Sequence, residues 1–490
     1  PSHTTLFTSR YPFQTHVEEN AEPVPGKLTT LASLLRAHGY ATGAFIGSVF
    51  LERQMGLDAG FDVYDSPFRF EAFSSISGEM MFAGLSRGAF SASERRDGAL
   101  VLRSAEQWLA SQRTGRPAFA FLHLYDLHEP YRIAPALYRA KHLSGYDAEL
   151  EYVDRLLGSF RRTLERNGWW NRSLIIILSD HGEGLDEHGE ESHGYFIYQS
   201  TLWVPLLIHW PTGYGPFQPQ VTDAGGLIDV APTILDLLHI QAPPSFSGRS
   251  LLGAARSGAT QPPRAVYSET LHTHDAFGWA ILRSVRFANY KYIDAPTPEL
   301  YDLAADPGER VNLARKEPER VGALRLRLDK IVARYGAAAH APGSPGTEAL
   351  LHSLGYLSSG PEAAIRATGP DPKDRLPEYR EYRRAMLFVY DGRYREAVLI
   401  LERLLMRDRN NLLARRDLGA SYLELRQYAL RNLNLVAMAA PGDYMTQYEL
   451  GIADEHLGHK ADARRHIEAA CKIAPEAAQC QAELKKLTGR

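Results

Sequence analysis

An aspartate and a histidine stand side by side at Asp180 and His181, directly after the apolar run Leu174–Leu178, and Gly182 and Gly184 leave space around them. A carboxylate oxygen and an imidazole nitrogen brought to one point are donors that hard and borderline divalent cations accept. The alternative for the same pair is a carboxylate that caps the next helix with a histidine packed on it. His193 follows in the segment EHGEESHG, and His128 ends a second apolar segment, so four metal-competent side chains fall at the exits of candidate strands. His123 falls inside its strand, where a hydrogen-bonded core histidine is expected, and His188 lies in an acidic, exposed loop. Glu183, Asp186, Glu187, Glu190 and Glu191 read as a solvated acidic loop, one member of which can orient a ligating histidine.

These side chains need elements to hold them. From residue 28 to about 240, amphipathic helices alternate with buried strands. Leu31, Leu34 and Leu35 predict a helix that stops at Gly39 and feeds a strand over Tyr40–Ile46. Ala118–Leu124 predicts the next strand, and a helix from Asp147 places Leu150, Val153, Leu157, Phe160 and Leu164 on one face. Leu174–Leu178 and Val204–Ile208 follow as strands, then a helix through Ile228, Ala231, Ile234, Leu235 and Leu238. Strands apolar on both faces and separated by helices imply an α/β fold with a mostly parallel sheet sandwiched by helices. Such sheets bind ligands in the loops beyond the carboxyl ends of their strands, where Tyr125–Tyr131 and Ser179–Glu183 stand.

Residues 336–375, rich in Ala, Gly, Pro and Ser, read as a linker with a short helical patch near Leu350–Leu357. It separates a domain over 1–335 from an all-α helical-repeat domain over 376–490. There Pro441 and Pro475 each close an Ala-rich helix at a period near 34, which resembles the tetratricopeptide repeat and offers a surface for a protein partner. Tyr394, Tyr422, Tyr428 and Tyr448 read as packing residues, and the charges of RRDLGASYLELRQ as the wet face of a helix. The two cysteines, Cys471 and Cys480, would sit near opposite faces of a regular helix, which argues against a mutual disulfide.

The 490 residues contain 55 Lys and Arg against 58 Asp and Glu, a formal charge of −3. That balance supplies no broad basic field and excludes a nucleic acid partner on electrostatic grounds. No apolar run is long enough to cross a bilayer.

Taken together, SDHGEGLDEHGEESHG with TLWVPLLIHWP resembles the metal-site strand and loop of the sulfatase-like branch of the alkaline-phosphatase superfamily, and FLHLYDLHEPY resembles its second histidine segment. PSHTTLFTSRYPFQTHV, LASLLRAHGYATGAF, LIDVAPTILDLL, FSGRSLL and ELYDLAADPGERVNLA agree in the family's order, so the similarity covers about residues 1–315. The resemblance implies a hydrolase or group transferase acting on phosphate, phosphonate or sulfate esters of small molecules, lipids or glycans. Its implied cofactor is a divalent metal, Zn, Mn or Ca. Asp180 and His181 match the family's metal ligands. His128 and His193 match positions that contact the transferred group, assist proton transfer or bind a second metal.

The departures shape what is expected. Pro1 and Ser2 match the proline and serine of the C-x-P-S-R motif, His3 replaces its arginine and becomes the substrate-binding candidate, and the nucleophile position falls just upstream of Pro1. The chain therefore reads as a fragment, inactive as it stands, of a longer protein. The G-K-W-H signature has no counterpart in AFIGSVFLERQMGLDAGFDVYD. Many sulfatases carry lysine where His193 stands, whereas phosphoethanolamine transferases carry histidine. Three readings stay open: a phosphoester or phosphonoester enzyme, an arylsulfatase-type sulfuric ester hydrolase, and a non-catalytic homologue serving as a repeat scaffold. Relatives of this architecture are often exported in bacteria, so a periplasmic or exported location is the expectation.

Overall fold

A computed structural model describes residues 1–18, 23–26, 28–68, 95–112, 115–129, 131, 144–222, 224–257, 262–336, 369–409, 411–425, 430–475 and 477–488. The helical patch near Leu350–Leu357, most of the linker and Tyr428 lie outside the described residues.

The chain opens with helices α1 (Ser2–Thr8), α2 (Pro12–Thr15) and α3 (Leu31–Ala37). Thr30 starts α3 with a reciprocal cap: its hydroxyl accepts from Ser33 N at 3.0 Å, and the Ser33 hydroxyl accepts from Thr30 N at 3.0 Å. Strand β1 (Ala41–Phe45) follows and is buried throughout, between β2 (Val63–Asp65) and β3 (Ala118–Leu122), both parallel to it. Successive side chains of a strand point to opposite faces. Ala44 accordingly shares a core with Leu31 and Leu35 of α3, while Phe45 packs on Val101 and Ala105 of α4 (Gly98–Ser111). Helices cover both faces, as the apolar pattern requires.

Helix α5 (Gly145–Arg166), capped by Ser144, leads to β4 (Ile175–Leu178). The short α6 (Gln199–Leu202) precedes β5 (Leu206–His209), which pairs with β4 antiparallel. Among the described residues β3 and β4 are not hydrogen-bonded to each other, and the strands anticipated from the apolar runs fall into two hydrogen-bonded groups. A continuous depression, or cleft, runs past both parts, and its lining includes Phe121 of β3 and Ile177 of β4.

The chain continues through helices α7 (Val230–Leu237), α8 (Leu252–Ser257) and α9 (His272–Phe277), and a second sheet begins between α8 and α9. It is antiparallel, in the order β6 (Ala265–Thr270), β7 (Leu282–Phe287), β8 (Tyr290–Asp294), β9 (Glu299–Asp302). Ala231 and Leu235 of α7 complete the core around Ala44. Helix α10 (Pro318–Gly336) lays Leu324 and Leu328 on Val285, Tyr292 and Leu300 of the second sheet.

The linker's end is not free chain. The carbonyl of Pro370 accepts from Ala280 N at 2.9 Å, and Asp371 accepts from Thr297 N at 3.0 Å, which ties residues 370–371 to the second sheet. Helices α11 (Leu376–Tyr390), α12 (Tyr394–Arg407), α13 (Leu412–Glu424), α14 (Leu430–Ala439), α15 (Tyr444–His456), α16 (Lys460–Ile473) and α17 (Ala478–Thr488) follow, each packed on the next. Glycines mark two of the closest crossings: a Cβ on Gly419 would come 2.6 Å from Leu433, and one on Gly451 2.5 Å from Ile467. Tyr448 stacks on Tyr444, a packing role.

Two expectations for this region are overturned. Arg416 and Asp417 are not on a wet face: they are 1% and 3% exposed, joined by a 2.8 Å ion pair, and Asp417 accepts from the Tyr382 hydroxyl at 2.7 Å. The helix is covered on several sides by its neighbours, so its charges turn inward as a pair instead of outward to water. Cys471 and Cys480 form a disulfide, with Cα atoms 5.5 Å apart. The chain leaves α16 and begins α17 between them, so the cysteines face each other across a turn and the geometry of a single helix does not apply.

Candidate functional site

The β4 strand ends at Leu178 and delivers Asp180 and His181 to the cleft. Gly182 permits the turn to lie against the chain at Ser200, where a Cβ would come 2.2 Å from a backbone oxygen. His181 Nδ1 lies 2.8 Å from the Gly182 carbonyl. A carbonyl only accepts, so Nδ1 carries a proton, and in the neutral ring the lone pair is then on Nε2. That Nε2 faces Asp180 Oδ2 at 3.6 Å, two acceptors turned toward each other. Burial alone would raise the Asp180 carboxyl, but His181, His3, His123 and His193 outweigh it and hold it below the usual carboxylate range.

The first turn of α1 sets His3 Nδ1 3.5 Å from the same Asp180 oxygen. Burial lowers the proton affinity of His3. His123 extends the β3 ladder through its N–H to the Phe45 carbonyl, and its ring meets His3 edge-on at 5.0 Å. Its Nδ1 is buried without a hydrogen-bond partner, which overturns the expectation of a hydrogen-bonded core histidine. Desolvation brings His123 down to about 3, so it is neutral.

His128 stands on a turn pinned by Asp126, whose Oδ1 accepts from Gly98 N at 2.9 Å. The His128 ring stacks on Tyr125 at 4.4 Å, and its Nδ1 donates to the Glu129 carbonyl at 2.6 Å. Burial, with His193 nearby, keeps His128 neutral by lowering it well below the usual range. His193 stacks on His181 at 4.2 Å and meets His128 edge-on at 4.8 Å. Desolvation lowers its proton affinity, but the hydrogen bond to Glu183 and the charges of Glu183, Glu129 and Glu190 more than reverse that, so it is raised.

His3, His128, Asp180, His181 and His193, all singled out in the sequence, therefore line one cleft. His188 does not join them: it stacks on Tyr198 at 3.7 Å. Of the acidic loop, Glu183 orients His193 at 3.1 Å, Asp186 pairs with Arg380, and Glu190 is buried, accepting from Tyr195 N at 2.9 Å, instead of solvated. Two further side chains that no local pattern marks meet this segment: Arg95, whose guanidinium donates to the Glu129 carbonyl, and Arg383, which donates to the Glu129 carboxylate.

The donor set fits a divalent ion. Two facing acceptors 3.6 Å apart match neighbouring ligands of one cation at bond lengths of about 2.0–2.4 Å, and the orphaned His123 nitrogen lies in the same wall. Among the described residues a second mixed cluster, Asp454, His459 and Asp462, brings ligand atoms within 4.8 Å. Its members are already paired, Asp454 with His459 at 3.1 Å and Asp462 with Arg465 at 2.8 Å.

Residues 1–240 match the profile of the sulfatase family, and residues 187–333 match the C-terminal profile of N-sulphoglucosamine sulphohydrolase. The first 333 residues are sulfatase-like. Arylsulfatase K of Xenopus laevis is 32% identical over 200 residues, which are 38% of this chain and 36% of that protein. The chain thus spans just over a third of the length of such curated relatives. In structure, the sulfatase-like fold superposes on BT4656, solved in complex with D-glucosamine-2-N,6-O-disulfate, with a TM-score of 0.55 at 17% identity, covering 70% of this chain and 89% of that one. It also matches the phosphonate monoester hydrolase of Silicibacter pomeroyi at a TM-score of 0.50 and 19% identity, covering 68% and 86%.

Proposed function

We propose that the sulfatase-like domain belongs to a metal-dependent hydrolase of sulfate or phosphate esters, with Asp180 and His181 as metal ligands. The observation that carries this reading is the facing pair of acceptors, Asp180 Oδ2 and His181 Nε2, in a wall of imidazoles. When bound, the metal supplies charge that lowers a nucleophile's proton affinity and offsets charge on the transferred group.

The chain's own residues divide the remaining work. His193, its proton affinity raised beside Glu183, holds a proton on Nε2 and delivers it to the leaving-group oxygen. His128 is kept neutral with its proton on Nδ1, so its Nε2 accepts a hydrogen bond from a hydroxyl or water. Two adjacent imidazoles pushed in opposite directions make an acid and an acceptor from one residue type. His3, on α1, positions the ester group from the side of Asp180.

The match to an N-sulphoglucosamine sulphohydrolase profile, and the likeness to a protein solved with a disulfated glucosamine, support a sulfated amino sugar as substrate. Histidine rather than lysine at position 193 favours the second reading, a phosphoester or phosphonate ester. The helical region reads as tetratricopeptide-like from its period near 34 and its glycine contacts, with a protein partner as its ligand. The Cys471–Cys480 disulfide supports an exported location.

The test is an assay of the full-length protein with para-nitrophenyl sulfate, para-nitrophenyl phosphate, a phenylphosphonate ester and sulfated glucosamine, with and without added metal. Metal-dependent sulfate release supports the sulfated amino sugar as substrate, and turnover of the phosphorus esters alone moves the assignment to a phosphoester or phosphonate ester. No hydrolysis of any of them overturns both.

A further inference from the structure

Among the described residues, the helical region reaches the cleft through one helix. Tyr382, Arg383 and Met386 of α11 line it together with His128 and His193. Arg383 makes a two-pronged contact with Glu129: Nη1 to Oε1 and Nη2 to Oε2, each 2.8 Å. Glu129 Oε1 also accepts from the Ser192 hydroxyl at 2.8 Å. Ser192 precedes His193 in the chain, and the Glu129 carbonyl holds His128. One carboxylate thus ties together the two segments that carry the imidazoles, and the arginine saturates it.

Three further contacts hold α11 in place. Arg380 donates to Asp186 Oδ1 at 2.6 Å, on the loop between His181 and His193. Leu376 fills the space beside Gly189, and the Tyr379 ring lies 3.7 Å from that of Tyr195. Tyr379 and Tyr382 share a single core with Tyr195, Phe277 and Trp279, so α11 is fused to the sulfatase-like domain by apolar contact as well as by charge.

We propose that Arg383 is a positioning residue of the hydrolase site: through Glu129 it locks the His128 segment to the His193 segment, making α11 part of the catalytic unit. The planar guanidinium is needed for this, because it satisfies both carboxylate oxygens while one is shared with Ser192, whereas lysine is a single point charge. Loss of Arg383 leaves Glu129 with the serine alone and frees the two segments to drift, and outer contacts of this kind are worth about 10–100-fold in activity. The mechanical half of the proposal stands on geometry, and the kinetic half rests on the hydrolase reading.

The experiment compares the native protein with Arg383→Met, Arg383→Lys and, as a control on the same helix, the exposed Arg384→Met. It follows amide hydrogen exchange over residues 125–129 and 183–193, together with kcat and KM on the best aryl ester. Exchange in both segments is expected to rise by about tenfold in Arg383→Met, with residues 394–407 unchanged. The kcat is expected to fall about 10–100-fold while KM moves by less than about threefold. Arg383→Lys falls between, and Arg384→Met behaves as the native protein. Should Arg383→Met fail to fold, Glu129→Gln, which keeps the shape and removes the charge, is expected to loosen the same two segments. Unchanged exchange in both segments of a folded variant overturns the proposal. Loosened segments in a protein that hydrolyses no ester uphold the positioning and count only against the hydrolase reading.

Discussion

Glu183 Oε1 lies 3.1 Å from His193 Nδ1, and the glutamate side chain is only 6% exposed. A carboxylate so shielded holds a proton on its imidazole partner more firmly than one in water. In Glu183→Gln the amide oxygen still accepts the hydrogen bond but the charge is gone. The limb of the kcat/KM profile set by His193 is then expected to move to lower pH, with activity at neutral pH down about tenfold. A profile that keeps its alkaline limb in place would remove His193 from the role of acid.

Asp180 and His181 are the facing pair, and His193 is not placed among the ligands. Asp180→Asn is expected to weaken metal binding by more than about tenfold, read by equilibrium dialysis with zinc, manganese and calcium. His193→Ala is expected to keep its metal while losing turnover. Equal metal content in the native protein and Asp180→Asn would sink the assignment.

Glu190 is pushed up to about 7 by burial, against which the Tyr195 and Phe196 N–H groups act only in part. The folded protein therefore binds this proton more tightly than the unfolded chain, whose carboxyl titrates near 4.5. Its contribution is full below the unfolded value and is lost as pH rises through about 7, a loss of about 3 kcal/mol across that window. Chemical denaturation between those limits is expected to show a slope that Glu190→Gln flattens. An identical slope in the two proteins would show that the carboxyl is ionised throughout.

The disulfide between Cys471 and Cys480 closes a short loop and fastens α17 to α16. Replacing both cysteines by serine is expected to cost the helical region about 2–3 kcal/mol and to raise amide exchange over 478–488. Because α11 is held by contacts far from that end, exchange over 376–390 is expected to stay as it was. Loosening of α11 in the serine variant would mean that the helices unfold as one unit.

Much of this protein is legible locally. The runs behind β1, β3 and β4, and the periodic leucines of α3 and α5, declare themselves because a strand or helix is a pattern of near neighbours. Asp180 and His181 are legible for the same reason, since the residues after a buried strand must leave the sheet at its end. The second sheet was less so, its strands being short and mixed in polarity. What the chain's order conceals is which distant groups meet. Arg383 and Glu129 are 254 residues apart, and nothing near either one announces the other. Arg416 and Asp417 resemble any charged helical turn until the neighbouring helices shut out water, pair them and bring the Tyr382 hydroxyl to Asp417. Cys471 and Cys480 face apart on one helix and together on two. Apolar periodicity is written into the sequence because it must be satisfied within each element. Pairing of charges, tautomers and sulfurs is decided by tertiary structure, because it depends on what the rest of the chain brings within a few ångströms.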